Sequence, residues 1–200
     1  MKPVLLFLVC WLCMAGTSFR LSAQDVSSVQ RAYHEVRRNI TAHRDEPNTL
    51  NEMELTVRHN VPGIGPQTIR YTFYLSPLRY DDTGKLLPHR LLLVERSYNV
   101  AAQKFQEEFL YDDEGHLLFT YEEEPLANST EPFFVQTCCY FHHDVLLDMI
   151  CFEVSDEGSR ELLHSSEEGD TPYVRQKLGQ AAAIHHMVSD IVLKGTFYTP

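Results

Sequence analysis

The chain has 200 residues, 44% of them hydrophobic and 22% charged, with 17 Lys and Arg against 28 Asp and Glu. That composition excludes collagen, a disordered tail and a polytopic membrane protein, and the length suits one domain with a core of its own. A net charge of −11 argues against nucleic acid as partner, because engaging its phosphates takes a surplus of cations.

Lys2 precedes an uncharged apolar run from Val4 to Ala15. As a helix that run would rise about 18 Å, well short of the roughly 30 Å of a bilayer core. A basic start, a short apolar stretch and Leu21-Ser22-Ala23 before Gln24 predict a secretory signal over 1–23 and one mature α+β domain over 24–200. The Ser-Ala-Gln ending resembles bacterial export signals. It implies an exported envelope protein, periplasmic or extracellular, with no transmembrane span in the mature chain.

Val26, Val29, Tyr33, Val36 and Ile40 recur in steps of three and four, one face of a helix that Asp25 can cap and Pro47 follows. Next the period changes to two. Met53, Leu55 and Val57 alternate with polar residues, as do Ile69, Tyr71, Phe73 and Leu75, and later Leu117, Phe119 and Tyr121. Further strands are expected over 90–98, 104–111, 133–141 and 145–154. The segments 123–131 and 165–170 read as loops. Thr171-Pro172 then offers an N-cap with proline at the first helical position. Val174, Leu178, Ala181, His185, Val188 and Val192 form the apolar stripe of a second helix, and Lys194 and Gly195 suit its end.

A turn repeats at Tyr80–Leu87 and Tyr111–Leu118, with a degenerate third copy at Tyr140–Leu147. Asp81 and Asp112 suit the first position of a type I turn, Gly84 and Gly115 the left-handed residue after it, and Asp144 marks the third copy. This register sets Tyr111 opposite Leu117 and Phe109 opposite Phe119. The turn is similar to the tyrosine–aspartate turn of bacterial surface repeat proteins over these residues alone, and no family is recognised from it. Asp112-Asp113-Glu114 lacks the alternating twelve-residue spacing of a calcium loop.

Three cysteines follow the expected cut, Cys138, Cys139 and Cys151. With the third turn as aligned, Cys139 and Cys151 share a face about 13 Å apart, at about 3.3 Å per residue, too far for a bridge. Three free, mostly buried thiols are expected, packing rather than reacting. His142, His143 and Asp144 carry metal-binding groups, but neighbours in sequence rarely converge on one ion, so a solvated turn is preferred. His185 falls on the helix stripe and reads as a packed core histidine. No nucleophile elbow, phosphate loop or dinucleotide fingerprint is present, and Pro62–Pro66 reads as a wide hairpin loop.

The reading is an antiparallel meander of about seven strands, with N- and C-terminal helices on one face. The covered face carries Leu55, Phe73, Phe109 and Phe119. The open face carries Glu54, Arg58, Thr68, Arg70, Thr72, Tyr74, Glu108 and Glu122. The expected function is a non-catalytic binding module with no cofactor, whose partner is an envelope protein or a glycan, with Arg70 and Tyr74 as anchors. The alternatives are a carrier of an apolar ligand or lipid held between sheet and helices, and a hydrolase without a known motif.

Overall fold

The computed structural model describes residues 26–45, 50–63, 65–101, 103–126, 134–155, 157–166 and 171–190. The expected signal, and with it Asp25, Pro47, Val192, Lys194 and Gly195, lies outside the described residues. Helix α1 spans 26–45. The strands are β1 (Asn51–Val61), β2 (Gly65–Leu75), β3 (Arg79–Tyr80), β4 (Leu86–Leu87), β5 (Leu91–Val100), β6 (Gln103–Tyr111), β7 (Leu117–Pro125), β8 (Phe134–His142), β9 (Val145–Val154) and β10 (Arg160–Ser166). Helix α2 spans Pro172–Val188.

The architecture is the expected α+β meander. Eight antiparallel strands run β1-β2-β5-β6-β7-β8-β9-β10, and β3–β4 is a small separate hairpin between β2 and β5. Strand β10 fills a stretch for which no element is expected and takes in the first two residues of the expected loop 165–170. It escapes the period-two rule because it is an edge strand exposed on both faces, with Leu162 and Leu163 open to solvent.

The helices do not share a face. One core joins Phe73, Val94, Phe109, Tyr111, Leu117, Cys139, Phe141 and Leu146 to Val174, Ala181, Ile184 and Val188 of α2. The other joins Tyr74, Leu93, Leu110, Phe119, Cys138 and Tyr140 to Val29 and Ile40 of α1, with Val26, Tyr33 and Val36 half-buried beside them. The sheet is therefore the middle of three layers, and its central strands are buried on both sides.

Three bulges explain the difference. The register slips between Tyr74 and Leu75, between Leu110 and Tyr111, and between Tyr140 and Phe141. Each slip leaves one extra leucine on the partner strand: Leu92, Leu118 and Leu147. A bulge sets two residues against one, so the side chains beyond it change face. Tyr111 still meets Leu117, but Leu110 meets Phe119 and Phe109 meets Thr120. Phe119 thereby joins the α1 core, and Glu122, opposite Glu107, faces α2. Leu92, Leu118 and Leu147 pack against the α1 core, while Leu91, Leu117 and Leu146 belong to the α2 core.

The repeated turn is present at both strong copies. In each, Asp Oδ1 accepts amides two and four residues on: Thr83 and Lys85 for Asp81, Glu114 and His116 for Asp112. Gly84 and Gly115 stand at φ +80° and +90°. Burial works against the charge on Asp112, but the His116 and Glu114 amides outweigh it and hold its carboxyl below the usual range. The degenerate third copy is a different turn. His143 (φ 46°) and Asp144 (φ 61°) form a two-residue loop with both residues left-handed. The three-residue turn recurs instead at Ser155–Ser159, with Gly158 at φ +82°.

Thr171 caps α2, its Oγ1 accepting the Val174 amide at 3.2 Å, with Pro172 at the first turn. The buried stripe of α2 includes Lys177 and Ile184, while Leu178 and His185 sit only half-buried at its border. Lys177 is 2% exposed, and its Nζ lies 2.8 Å from Glu107 Oε1 and 2.8 Å from Glu122 Oε1. Arg96 reaches the other oxygen of Glu107 at 2.8 Å, and Tyr173 donates to Glu122 at 2.6 Å.

Two predictions follow from this packing. Alanine at Gly84 or Gly115 should each cost about 1–3 kcal/mol in denaturant melts, from forced positive φ. Gly84 has open space, whereas a Cβ on Gly115 would lie 2.5 Å from His185 Nε2. Only Gly115→Ala should therefore shift the His185 and Tyr111 ring signals in NMR spectra. Lys177→Met should lose about 3–5 kcal/mol at pH 7, the cost of stranding buried carboxylates, and adding Glu122→Gln should return part of it. Burial alone would raise the Glu122 pKa, yet Lys177 and Tyr173 hold it below normal. Its contribution is complete above the unfolded carboxylate pKa of about 4.3 and is lost as pH falls through the lowered folded value. The gap between wild type and Lys177→Met should accordingly close in acid.

Candidate functional site

Helix α1 crosses its face of the sheet near the bulged end. Gln30 Nε2 donates to the Tyr140 hydroxyl at 3.3 Å, and the Tyr33 hydroxyl donates to Glu108 Oε2 at 2.8 Å. Arg37 forms ion pairs with both Glu95 and Glu108. Beyond these anchors the face is polar. The register places Thr56, Arg70, Ser97, Gln106, Glu123, Gln136 and Phe152 side by side, one per strand from β1 to β9. Leu162 of β10 continues the row.

Two depressions flank the row. A groove of about 640 Å³ lies between α1 and strands β6–β10, lined among others by Tyr33, Gln106, Glu108, Tyr121, Gln136, Phe152 and Arg160. A cleft of about 500 Å³ lies over β1, β2, β5 and β6, lined by Thr56, Arg58, Thr68, Arg70, Ser97, Tyr98, Asn99 and Lys104. A third depression, lined by Arg37, Arg70 and Lys104, shares Gln106 and Glu108 with the groove, so the depressions are continuous. Arg58, Arg70 and Lys104 are exposed and make this end cationic in an acidic chain.

The polar side chains of the groove hold one another. Tyr121 donates to Glu123 at 2.7 Å, Gln136 donates to Glu123 at 2.8 Å, and Arg160 donates to Gln136 at 2.9 Å. Burial pushes Glu108 above the usual carboxylate range despite Arg37. Burial and the neighbouring Glu108 charge push the Tyr33 hydroxyl up to about 12. Both groups are occupied as anchors for α1.

Of the two expected anchor residues, Arg70 lies on the open row. Tyr74 does not: it is 2% exposed, its ring belongs to the α1 core and its hydroxyl donates to Glu95 at 3.3 Å. It lies four residues along the strand from Arg70, at the end that α1 covers. Glu54, Arg58, Thr68, Thr72 and Glu108 do face the same way, and Glu122 is excluded by the bulge. The turn residues Asp81, Gly84, Asp112, Gly115 and Asp144 all lie in turns. The groove has no signature in residue order, because its wall is α1, which residue patterning sets on the other face.

Cys138, Cys139 and Cys151 are free. The Tyr140/Phe141 bulge pairs Cys139 with Met149 and Cys151 with Thr137, so the two same-face thiols are diagonal neighbours rather than four residues apart. Burial pushes Cys138 up to about 11 and Cys139 up to about 12, which suits packing rather than nucleophilic attack. Thr137 Oγ1 donates to Cys151 Sγ at 3.6 Å. His142 and His143 contact each other's rings at the turn, and His143 also meets His116. An alkylating reagent at pH 8 should leave Cys138 and Cys139 unmodified in the folded protein and label all three once it is unfolded. Mass spectrometry without reductant checks this, and a stoichiometric bridge would contradict it.

Comparisons with protein-family models, with curated proteins and with solved structures find no match for this chain.

Proposed function

We propose that this chain is an exported, non-catalytic binding module of a bacterial envelope, and that it holds a glycan bearing acidic groups across the polar half of its α1 face. The carrying observation is the row from Thr56 to Phe152. At about 4.8 Å per strand, the seven residues span roughly 29 Å, the scale of an extended polymer rather than of one small molecule. Its chemistry changes along the way. Arg58, Arg70 and Lys104 at the β1–β6 end offer charge-assisted bonds to carboxylates or sulfates. Gln106, Glu123 and Gln136 in the middle match hydroxyl donors and acceptors. Tyr121 and Phe152 add apolar rings with polar neighbours, Phe152 carrying the Arg160 guanidinium 4.3 Å over its ring, the usual make-up of a ligand groove.

The same lining weighs against the lipid-carrier reading. The space directly under α1 is filled by Ile40, Phe119 and Tyr140, and the open groove carries carboxylates and amides that an acyl chain would leave unpaired. It also favours holding over turnover. Glu108 is bound by Arg37 and Tyr33, and Glu123 by Tyr121 and Gln136. The export part of the reading stands on the signal-like segment 1–23, which lies outside the described residues.

Calorimetry against neutral and acidic polysaccharides tests the reading. Acidic polymers should bind and neutral ones bind more weakly. Arg70→Ala should weaken the acidic ligand roughly tenfold or more, as expected for losing a hydrogen bond to a charged group. Phe152→Ala should weaken both classes, and Tyr74→Phe neither. Absence of binding to every polymer, or affinity indifferent to Arg70 and Phe152, would overturn it.

A further inference from the structure

The bulged end of the sheet carries a second constellation, away from the polar row. Asp112 and His116 come from the β6–β7 turn and His143 from the β8–β9 turn, and one donor atom of each lies within 4.8 Å of the other two. We infer that these three residues form a binding site for a divalent transition metal of the zinc class.

The turn chemistry prepares the site. Asp112 Oδ1 is engaged by the Glu114 and His116 amides at 2.8 Å each, which fixes the carboxylate plane. Its second oxygen, Oδ2, then faces His116 Nδ1 at 3.1 Å. The left-handed turn at His143 and Asp144 brings the His143 ring to 5.4 Å from the His116 ring, edge to face at 83°. The His142 ring lies 4.2 Å from that of His143 and braces it from the strand side of the turn.

Donors sharing one zinc ion at about 2.0–2.1 Å in a tetrahedron stand about 3.4 Å apart. Closing from 4.8 Å calls for rotation of the exposed His143 side chain, whose ring rests against those of His116 and His142. Two imidazoles with one carboxylate select a borderline metal over calcium or magnesium, which take oxygen ligands. The ligands come from two hairpins, so a bound ion ties the β6–β7 turn to the β8–β9 turn. It leaves a coordination position to water. The sequence concealed this set because its members are not neighbours. The run His142-His143-Asp144 supplies one ligand, and the other two sit 31 and 27 residues earlier.

The test uses the purified protein after chelator treatment, with zinc followed by calorimetry, cobalt(II) by visible absorption, and calcium as the contrasting ion. The expected result is one zinc per chain at micromolar concentration, a cobalt ligand-field band that zinc abolishes, no calcium uptake and a melting temperature raised by zinc. His143→Asn keeps a residue tolerant of positive φ, and Asp112→Asn keeps an oxygen for the turn amides. Each should weaken zinc at least about tenfold, with unchanged far-ultraviolet circular dichroism. His186→Ala, on the exposed side of α2, should leave affinity unchanged. Absence of uptake at micromolar zinc, or uptake that survives both His143→Asn and Asp112→Asn, would overturn the assignment.

Discussion

Glu107 and Glu108 are consecutive residues of one central strand, so their side chains leave the sheet in opposite directions. Each is met by a cation from a different helix: Lys177 of α2 on one face, Arg37 of α1 on the other. The three-layer arrangement turns on this dipeptide. Apolar burial supplies the driving force on both faces, but it is non-directional and would tolerate either helix sliding along the sheet. A buried charge tolerates no such freedom, because a shifted helix strands a carboxylate in the core. Ion pairs of this kind add little net stability over an apolar substitute. Their contribution here is to fix where each helix sits. With Arg37 held between Glu95 and Glu108, α1 stays at one end and the rest of its face stays open.

The bulges complete the same division. Each places two consecutive leucines near a turn, one feeding each core, so the bulged end is apolar on both faces. Beyond them β1, β2 and β5 to β8 revert to regular pairing, and the α1 face becomes hydroxyls, amides and charges from Thr56 to Gln136. One end of the sheet is thus built to bury helices and the other to stay wet. The hairpin turns of the buried end bring Asp112, His116 and His143 together, while the ladder at the wet end aligns the polar row.

What could be read from residue order was what local chemistry decides. Helix periodicity, the Thr171-Pro172 start, the Asp-Gly turns and most strand limits depend on neighbours within a few positions. The sidedness of the sheet could not be read that way. A single extra residue inverts every later side chain, and Leu91-Leu92-Leu93, Leu117-Leu118 and Leu146-Leu147 look like ordinary apolar runs unless a bulge is suspected. Those doublets were the available signal for a sheet buried on both sides. Lys177 gave none, since a lysine on an apolar stripe normally marks the stripe's edge. Its burial depends on Glu107 and Glu122, some seventy and fifty-five residues earlier. Tyr74 failed as a surface anchor for a related reason: tyrosine serves core and interface equally, and only the position of α1 decides which.

The two proposals draw on different parts of one framework. Strands β6 and β7 run from the Asp112–His116 turn, past Glu107, Glu108 and Glu122, to Gln106 and Glu123 on the polar row. An ion at the turn acts on the ends of these strands, and the carboxylates between are already pinned by Arg37 and Lys177. A displacement introduced at the turn would have to break those pairs before it reached Gln106. The framework therefore insulates the row from the turn, since close-packed interiors with fixed charges resist continuous deformation. Metal at the one end would stiffen the hairpins without retuning the proposed ligand face at the other. That arrangement suits a module whose binding surface is set once by folding rather than adjusted by an effector.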